Sequence, residues 1–276
     1  MSQPANRIEA GEPERTPSNS ANAPLSDATE LNALRTWRNV YGEAAKASDW
    51  VTAHRWHEVD RPREAAEDVR AKLRSRPGDF VLEVGCGSGA VLALVLEDGQ
   101  CGVGLDQCEA LIHRAADFGV DRARLHLGVA DASRLPVCTE TVDRVFSYSV
   151  FQCFPSEDYA RRVLDEMLRV CKPGGVIMIG DLHGDMEKQA RFLEGLGLSR
   201  AMADGLLSPF APFWRLKQRL RGGGDGLFRR AYSRKFFHRA LQDRSCAVEF
   251  LRQEVAGRPY ERLRYDLRIT KRSGMV

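Results

Sequence analysis

The sequence predicts an α/β fold: a mostly parallel sheet with helices on both faces, closed by a terminal antiparallel hairpin. Three observations predict it. Short apolar runs at residues 80–84, 102–106, 124–129, 142–148 and 176–181 are separated by helical patterns or turns, as in a parallel sheet. The first run leads directly into a glycine-rich turn, Gly85-Cys86-Gly87-Ser88-Gly89, and then a strongly apolar helix over 90–96. The last two runs, 246–255 and 262–270, flank Gly257-Arg258-Pro259 with no helix between them, which makes them a hairpin.

At 276 residues the chain is long enough for one large α/β domain with an appendage. Hydrophobic residues at 43% and charged residues at 29% place it among water-soluble globular proteins. No apolar run approaches the ~20 residues of a membrane span and the N-terminus has no signal-peptide core, so a cytoplasmic protein without an integral membrane segment is expected. The seven cysteines are scattered, without a Cys-x-x-Cys pair or a histidine at ligand spacing. This predicts reduced, mostly core thiols and no metal site. A net charge of +3 is too small to argue for nucleic acid.

In chain order, residues 1–27 carry Pro4, Pro13, Pro17 and Pro24 with almost nothing apolar, and are expected to be a disordered tail. From Leu31 the character changes. Leu34, Trp37, Val40 and Tyr41 fall at helical spacing and are followed by Trp50, His54, Trp56 and His57. The aromatics serve either to anchor helices to the sheet or to line a site. A helix over 64–73 then leads through Pro77-Gly78 into the first strand, so 28–75 is expected to be a helical segment ahead of a domain at 76–276.

The glycine loop is the first candidate site. Glycine at every second position lets the backbone take positive φ and lets a ligand approach the main chain. Gly85-x-Gly87-x-x-Ala90, with Asp106 about 20 residues on, also satisfies a dinucleotide fingerprint, so the loop alone leaves two cofactor classes open. Glu83 tips the balance. A carboxylate beside the loop suits a cationic ligand better than a pyrophosphate.

The Glu83-x-Gly85-x-Gly87-x-Gly89 pattern, Asp106 ending the second strand, Asp131 following the third and the Lys172-Pro173-Gly174-Gly175 turn stand in one order. Here the chain resembles the class I S-adenosylmethionine-dependent methyltransferases, small-molecule enzymes of the methyltransferase type 11 kind, over roughly residues 76–181. The resemblance implies a Rossmann-like seven-stranded sheet with S-adenosylmethionine as cofactor. It assigns Glu83, Gly85, Cys86, Gly87, Gly89, Asp106, Gln107, Asp131, Ala132 and Ser147 to the cofactor site. Asp106 would take both ribose hydroxyls and Asp131 the adenine amine, although an acid at 106 also suits the cap of the next helix. The segment 28–75 would form a lid and line the acceptor pocket.

Residues 182–231 look like an insertion. Nine Lys/Arg and one acid, Asp225, lie between Arg215 and Arg239, which describes either a solvated face or a basic rim for an anionic acceptor. For a general base, His183 stands just past the fifth strand, with Tyr41, His54 and His57 as alternatives. Many hydroxyl-directed relatives of the fold carry a histidine after the fourth strand. Gln152 and Cys153 stand there instead, so proximity with Gln152 or Tyr148 orienting the acceptor is the other route. The expectation is methyl transfer to an oxygen of a small-molecule, sugar or lipid-linked acceptor. N- or C-methylation is the alternative, and a NAD(P)-dependent oxidoreductase or a nucleic-acid enzyme is disfavoured. The fourth strand has Ser147-Tyr148-Ser149-Val150 where a flipped-base enzyme would carry Asn-Pro-Pro-Tyr.

Overall fold

The computed structural model describes residues 28–46, 61–97, 99–114, 123–184, 230–255 and 264–273. Its elements in chain order are α1 (Ala28–Ala45), α2 (Arg61–Leu73), β1 (Phe80–Val84), α3 (Ala90–Val95), β2 (Cys101–Asp106), α4 (Glu109–His113), β3 (Leu125–Val129), β4 (Val142–Tyr148), α5 (Glu157–Val170), β5 (Cys171–His183), α6 (Arg234–Leu241), β6 (Cys246–Arg252) and β7 (Arg264–Lys271). The sheet order is β3-β2-β1-β4-β5-β7-β6. The first five strands are parallel and β7 runs antiparallel between β5 and β6.

Side-chain alternation in the central strands sorts the core into two layers. Leu82, Val84, Val145, Ile177 and Ile179 face α5 and α6, while Val81, Phe146 and Met178 face α2 and α3. Burial on both faces is what the near-continuous apolar runs encode. In α5, Tyr159, Val163, Met167 and Val170 recur at helical spacing and are all buried, each contributing about 1.5–3 kcal/mol. Ser156 starts that helix by accepting the Tyr159 N–H at 2.9 Å, and Ser233 does the same for α6 through the Phe236 N–H at 3.2 Å.

Two boundaries differ from expectation. The fifth strand begins at Cys171 and absorbs the Lys172–Gly175 turn as an irregularity: Val142 pairs with Cys171, but Arg144 already pairs with Val176. Gly174, at φ 78, makes that excursion possible, and Lys172 ties it down by ion-pairing with Asp143 at 2.8 Å. The closing strands stop at Arg252 and start at Arg264, and the expected turn at Gly257–Pro259 lies outside the described residues. So do the expected tail at 1–27, most of the inserted region, and Trp50, His54, Trp56 and His57.

Candidate active site

A crevice opens at the carboxyl ends of β1, β2, β3 and β4, where an open parallel sheet places its ligands. Its floor is the glycine loop. Gly85, Gly87 and Gly89 all have positive φ (80, 58 and 78), as the alternating glycines require. At Gly85 a side chain is excluded twice over, because a Cβ would also lie 2.6 Å from Val150 Cγ2. Loop and second strand are stitched together: the Gly85 N–H donates to Leu105 O at 2.7 Å, and the Gly87 N–H to Asp106 Oδ2 at 2.8 Å.

Asp106 holds two elements at once. Its other oxygen accepts the Cys108 N–H at 2.8 Å, at the start of α4. Burial raises its pKa, and the N–H groups of Cys108 and Gly87 pull it partly back. Glu83, 2% exposed, sits on the β1 face turned toward α3. Burial pushes its pKa well up, a backbone hydrogen bond at Leu92 counteracts this, and the neighbouring Asp106 charge adds to it. Its Oε2 is buried without a hydrogen-bond partner. Asp131 is fixed by three donors at 2.7 Å: the Ser133 N–H, the Ser133 hydroxyl and the Tyr159 phenol. Burial and then the Asp131 charge raise the Tyr159 pKa, so that phenol stays a donor.

Helix α1 roofs the crevice with Leu34, Trp37 and Tyr41, one face at helical spacing. Trp37 and Tyr41 stack with centroids 5.8 Å apart. At its N-terminal end Glu30 bonds the Ser156 hydroxyl and pairs with Arg162 at 2.5 Å, which fastens the roof to α5. Farther along, the Arg38 carbonyl lies 3.7 Å from the Cys108 thiol.

Of the residues expected from sequence, Tyr41, Glu83, Gly85, Cys86, Gly87, Asp106, Gln107 and Ala132 line this crevice. Gly89 stands behind the loop, where a Cβ would meet the Leu127 side chain at 3.0 Å. Asp131 lies between the lining residues Ala130 and Ala132. Ser147 is fully buried and its hydroxyl has no partner. His183 ends β5 opposite Arg264, its carbonyl accepts the Tyr232 N–H at 3.0 Å, and it is not among the lining residues. Gln152 is buried, with its amide N–H groups committed to Ser149: 2.7 Å to the carbonyl and 3.0 Å to the hydroxyl.

Ser149, Val150 and Phe154 fall in the strand end, 147–154, that the sequence turns toward the transferring methyl, whereas Tyr159 was missed as a lining residue. Tyr159 was hidden in the apolar stripe of α5, and only the Tyr-to-Asp131 bond across the fold reveals it. Among the described lining residues there is no Lys or Arg. No group of three or more His, Cys, Asp or Glu among the described residues is placed to hold a metal ion.

Residues 82–179 match the family described as "Methyltransferase domain". The chain is 30% identical over 146 residues to a tRNA (carboxymethyluridine(34)-5-O)-methyltransferase of Arabidopsis thaliana, covering 52% of this chain and 34% of that protein. It is also 30% identical over 171 residues to a malonyl-[acyl-carrier protein] O-methyltransferase of a Marinomonas species, covering 60% of each. The alignment thus spans about a third to three fifths of these relatives. Among solved structures, the methyltransferase bound to the Haloferax volcanii Trm112 activator superposes with a TM-score of 0.57 at 16% identity, covering 90% of this chain and 99% of that one. An Aquifex aeolicus S-adenosylmethionine-dependent methyltransferase superposes at 0.51 with 15% identity, covering 82% of this chain and all of that one. At such identities these two report the fold. The segment 82–179, which contributes most of the crevice walls, thus matches the methyltransferase domain family, and the chain has the fold of S-adenosylmethionine-dependent methyltransferases.

Proposed function

We propose that the protein transfers a methyl group from S-adenosylmethionine to an oxygen of a small-molecule acceptor. The observation that carries the cofactor reading is the charge of the crevice. Glu83 and Asp106 line it, Asp131 lies between its lining residues Ala130 and Ala132, and the Gly87 N–H that a pyrophosphate would need is already held by Asp106. A dinucleotide would meet three acids there, whereas a ligand with an ammonium and a sulfonium is drawn in. The residues fit that ligand: Glu83 Oε2 is a buried acceptor without a partner, and the glycines leave the loop bare on the crevice side.

In this reading Glu83 and the 85–89 loop hold the amino-acid end, Asp106 accepts from the ribose hydroxyls with lone pairs left over from Gly87 and Cys108, and Asp131 with Ala132 takes the adenine edge. Gln107 and Cys86 line the ribose, Ser147 supports the floor from below, and Gly89 starts α3. S-adenosylmethionine supplies a methyl group already activated on sulfur. The protein's part is to orient the acceptor and exclude water, and the apolar roof of Leu34 and Trp37 does the latter. His183, behind the crevice, suits a base less well than Tyr41, whose hydroxyl is at the roof.

An oxygen acceptor is in keeping with the O-methyltransferases among the relatives, and N- or C-methylation is the alternative. Relatives named for tRNA argue for RNA, but no Lys or Arg stands among the described lining residues to meet a phosphate, which favours a small molecule. No helix among the described residues is long and apolar enough to cross a membrane, and we place the protein in the cytoplasm. Residues 28–75 act as the lid and 182–231 as an acceptor-side insertion, following a tail at 1–27.

The test is calorimetric titration of the protein with S-adenosylhomocysteine, NADH and bulk tRNA. Micromolar S-adenosylhomocysteine binding that Asp106→Ala weakens at least about a hundredfold is expected, since two or more charge-assisted hydrogen bonds are lost. Binding of NADH alone would overturn the cofactor, and tight, saturable tRNA binding would overturn the small-molecule acceptor.

A further inference from the structure

At the acceptor end of the crevice, two residues other than glycine sit side by side in the left-handed region: Ser149 at φ 62, just past β4, and Asp181 at φ 61, in β5. Such a conformation costs about 1–3 kcal/mol for each residue and persists only where surroundings enforce it. Here the enforcement is visible. The Ser149 N–H donates to Gly180 O at 3.1 Å, the Asp181 N–H to Asp266 Oδ1 at 2.8 Å, and Asp266 is in turn held by Lys72 at 2.5 Å.

The side chains are ordered as strictly. Asp181 is fully buried and ion-paired with Arg264, and its second oxygen lies 2.6 Å from the Ser149 hydroxyl. A carboxylate paired with a guanidinium only accepts, so the single hydroxyl proton of Ser149 points inward to Asp181. One lone pair of the same oxygen takes the Gln152 amide at 3.0 Å. The Gln152 amide cannot be turned around, because its nitrogen also faces the Ser149 carbonyl at 2.7 Å. What Ser149 offers the crevice it lines is therefore its remaining lone pair.

Building on the methyltransferase reading, we propose that Ser149, with its hydroxyl set by the positioning residue Asp181, accepts a hydrogen bond from the methyl acceptor, so that the substrate class is one whose nucleophile carries its own proton, an alcohol, phenol or N–H. A hydroxyl held by its proton turns its oxygen lone pairs away from Ser149 toward the sulfonium methyl. As the new bond to the methyl forms and the S–CH3 bond breaks, that proton passes to the Ser149 oxygen while Ser149 passes its own to Asp181. A carboxylate nucleophile has no proton to give and would face only acceptors at this point.

The test compares 1-phenylethanol with acetophenone, which have the same heavy atoms and differ in the donor. Aromatic probes suit the walls formed by Trp37, Tyr41 and Phe154. Binding is measured by ligand-observed NMR on the full chain saturated with S-adenosylhomocysteine. The alcohol is expected to bind about tenfold tighter, the worth of one hydrogen bond to a polarised acceptor. In Asp181→Asn the new amide donates to Ser149, whose proton turns to the crevice, and the preference should shrink to within about twofold or invert. Ser149→Gly keeps the φ accessible and leaves Asp181 paired with Arg264, so it serves if the first variant does not fold. It too should bring the ratio to within about twofold, with S-adenosylhomocysteine affinity unchanged. A ketone bound as well as the alcohol by the unaltered protein, no alcohol binding at all, or a ratio unmoved in the folded variants each overturns the proposal. Failure to bind S-adenosylhomocysteine would instead overturn the cofactor reading, and the alcohol-to-ketone ratio on the free protein would still judge Ser149.

Discussion

At the scale of single residues, Glu83 is the most informative side chain of the crevice. Its pKa is raised mainly by burial, and a cation bound beside it would favour the ionised form. Binding of S-adenosylhomocysteine, which keeps the ammonium, should then release a proton at pH values below the free-protein pKa, and affinity should rise with pH up to that point. Titrations in two buffers of different ionisation enthalpy, repeated across a series of pH values, measure this, and Glu83→Gln should abolish the release and weaken binding about tenfold. An affinity that falls with rising pH would refute the contact. The acids and glycines around the cofactor were legible because each has a fixed distance along the chain from a strand end. Ser149 and Asp181 were not, because nothing in Ser-Val or Gly-Asp announces a left-handed backbone. Their conformation is imposed by Asp266 and Gly180, residues that only the folded sheet brings alongside.

At the scale of elements, every strand was readable from its apolar run, and the start of α5 from Pro155-Ser156 ahead of an apolar stripe, whereas α6, which the pattern starts at Tyr232, begins only after Ser233 caps it. The bulge at the start of β5 was not, since Lys-Pro-Gly-Gly reads the same whether it ends a strand or interrupts one. Ser156 joins two elements: it caps α5 by accepting the Tyr159 N–H and donates its hydroxyl proton to Glu30 of α1. Ser156→Ala should lower stability by about 1 kcal/mol through the lost cap. It should also loosen the roof, seen as faster release of S-adenosylhomocysteine in stopped flow from tryptophan emission. Arg162→Met breaks the roof contact and leaves the cap in place, losing besides it only the guanidinium's place over the Tyr159 ring. If it leaves the release rate unchanged, the fastening of α1 has no bearing on exchange.

For the molecule as a whole, one buried polar chain runs through the sheet: Asp68 to Lys72 on α2, Lys72 to Asp266 on β7, and Asp266 to Asp181 on β5. Burial, opposed by Lys72, raises the Asp266 pKa from 3.8 to about 7. A carboxyl whose folded pKa exceeds its unfolded value stabilises the fold below about 3.8, and that contribution is lost as pH rises through about 7. Asp266→Asn should therefore gain on the natural protein by about 1–3 kcal/mol between those limits, whatever its offset at either end. Urea denaturation at intervals across the window checks it, and parallel curves for the two proteins would contradict it. That chain has a further consequence for how the protein comes into being. Arg264 and Asp266 follow every other element of the crevice in chain order, yet β7 lies inside the sheet, between β5 and β6. During synthesis the glycine loop and its acids are complete well before Asp181 meets Arg264 and Asp266. A nascent or truncated chain ending ahead of residue 264 would carry the nucleotide half of its crevice with the acceptor half still unset, so retention on a nucleoside affinity resin is no certificate of a finished enzyme.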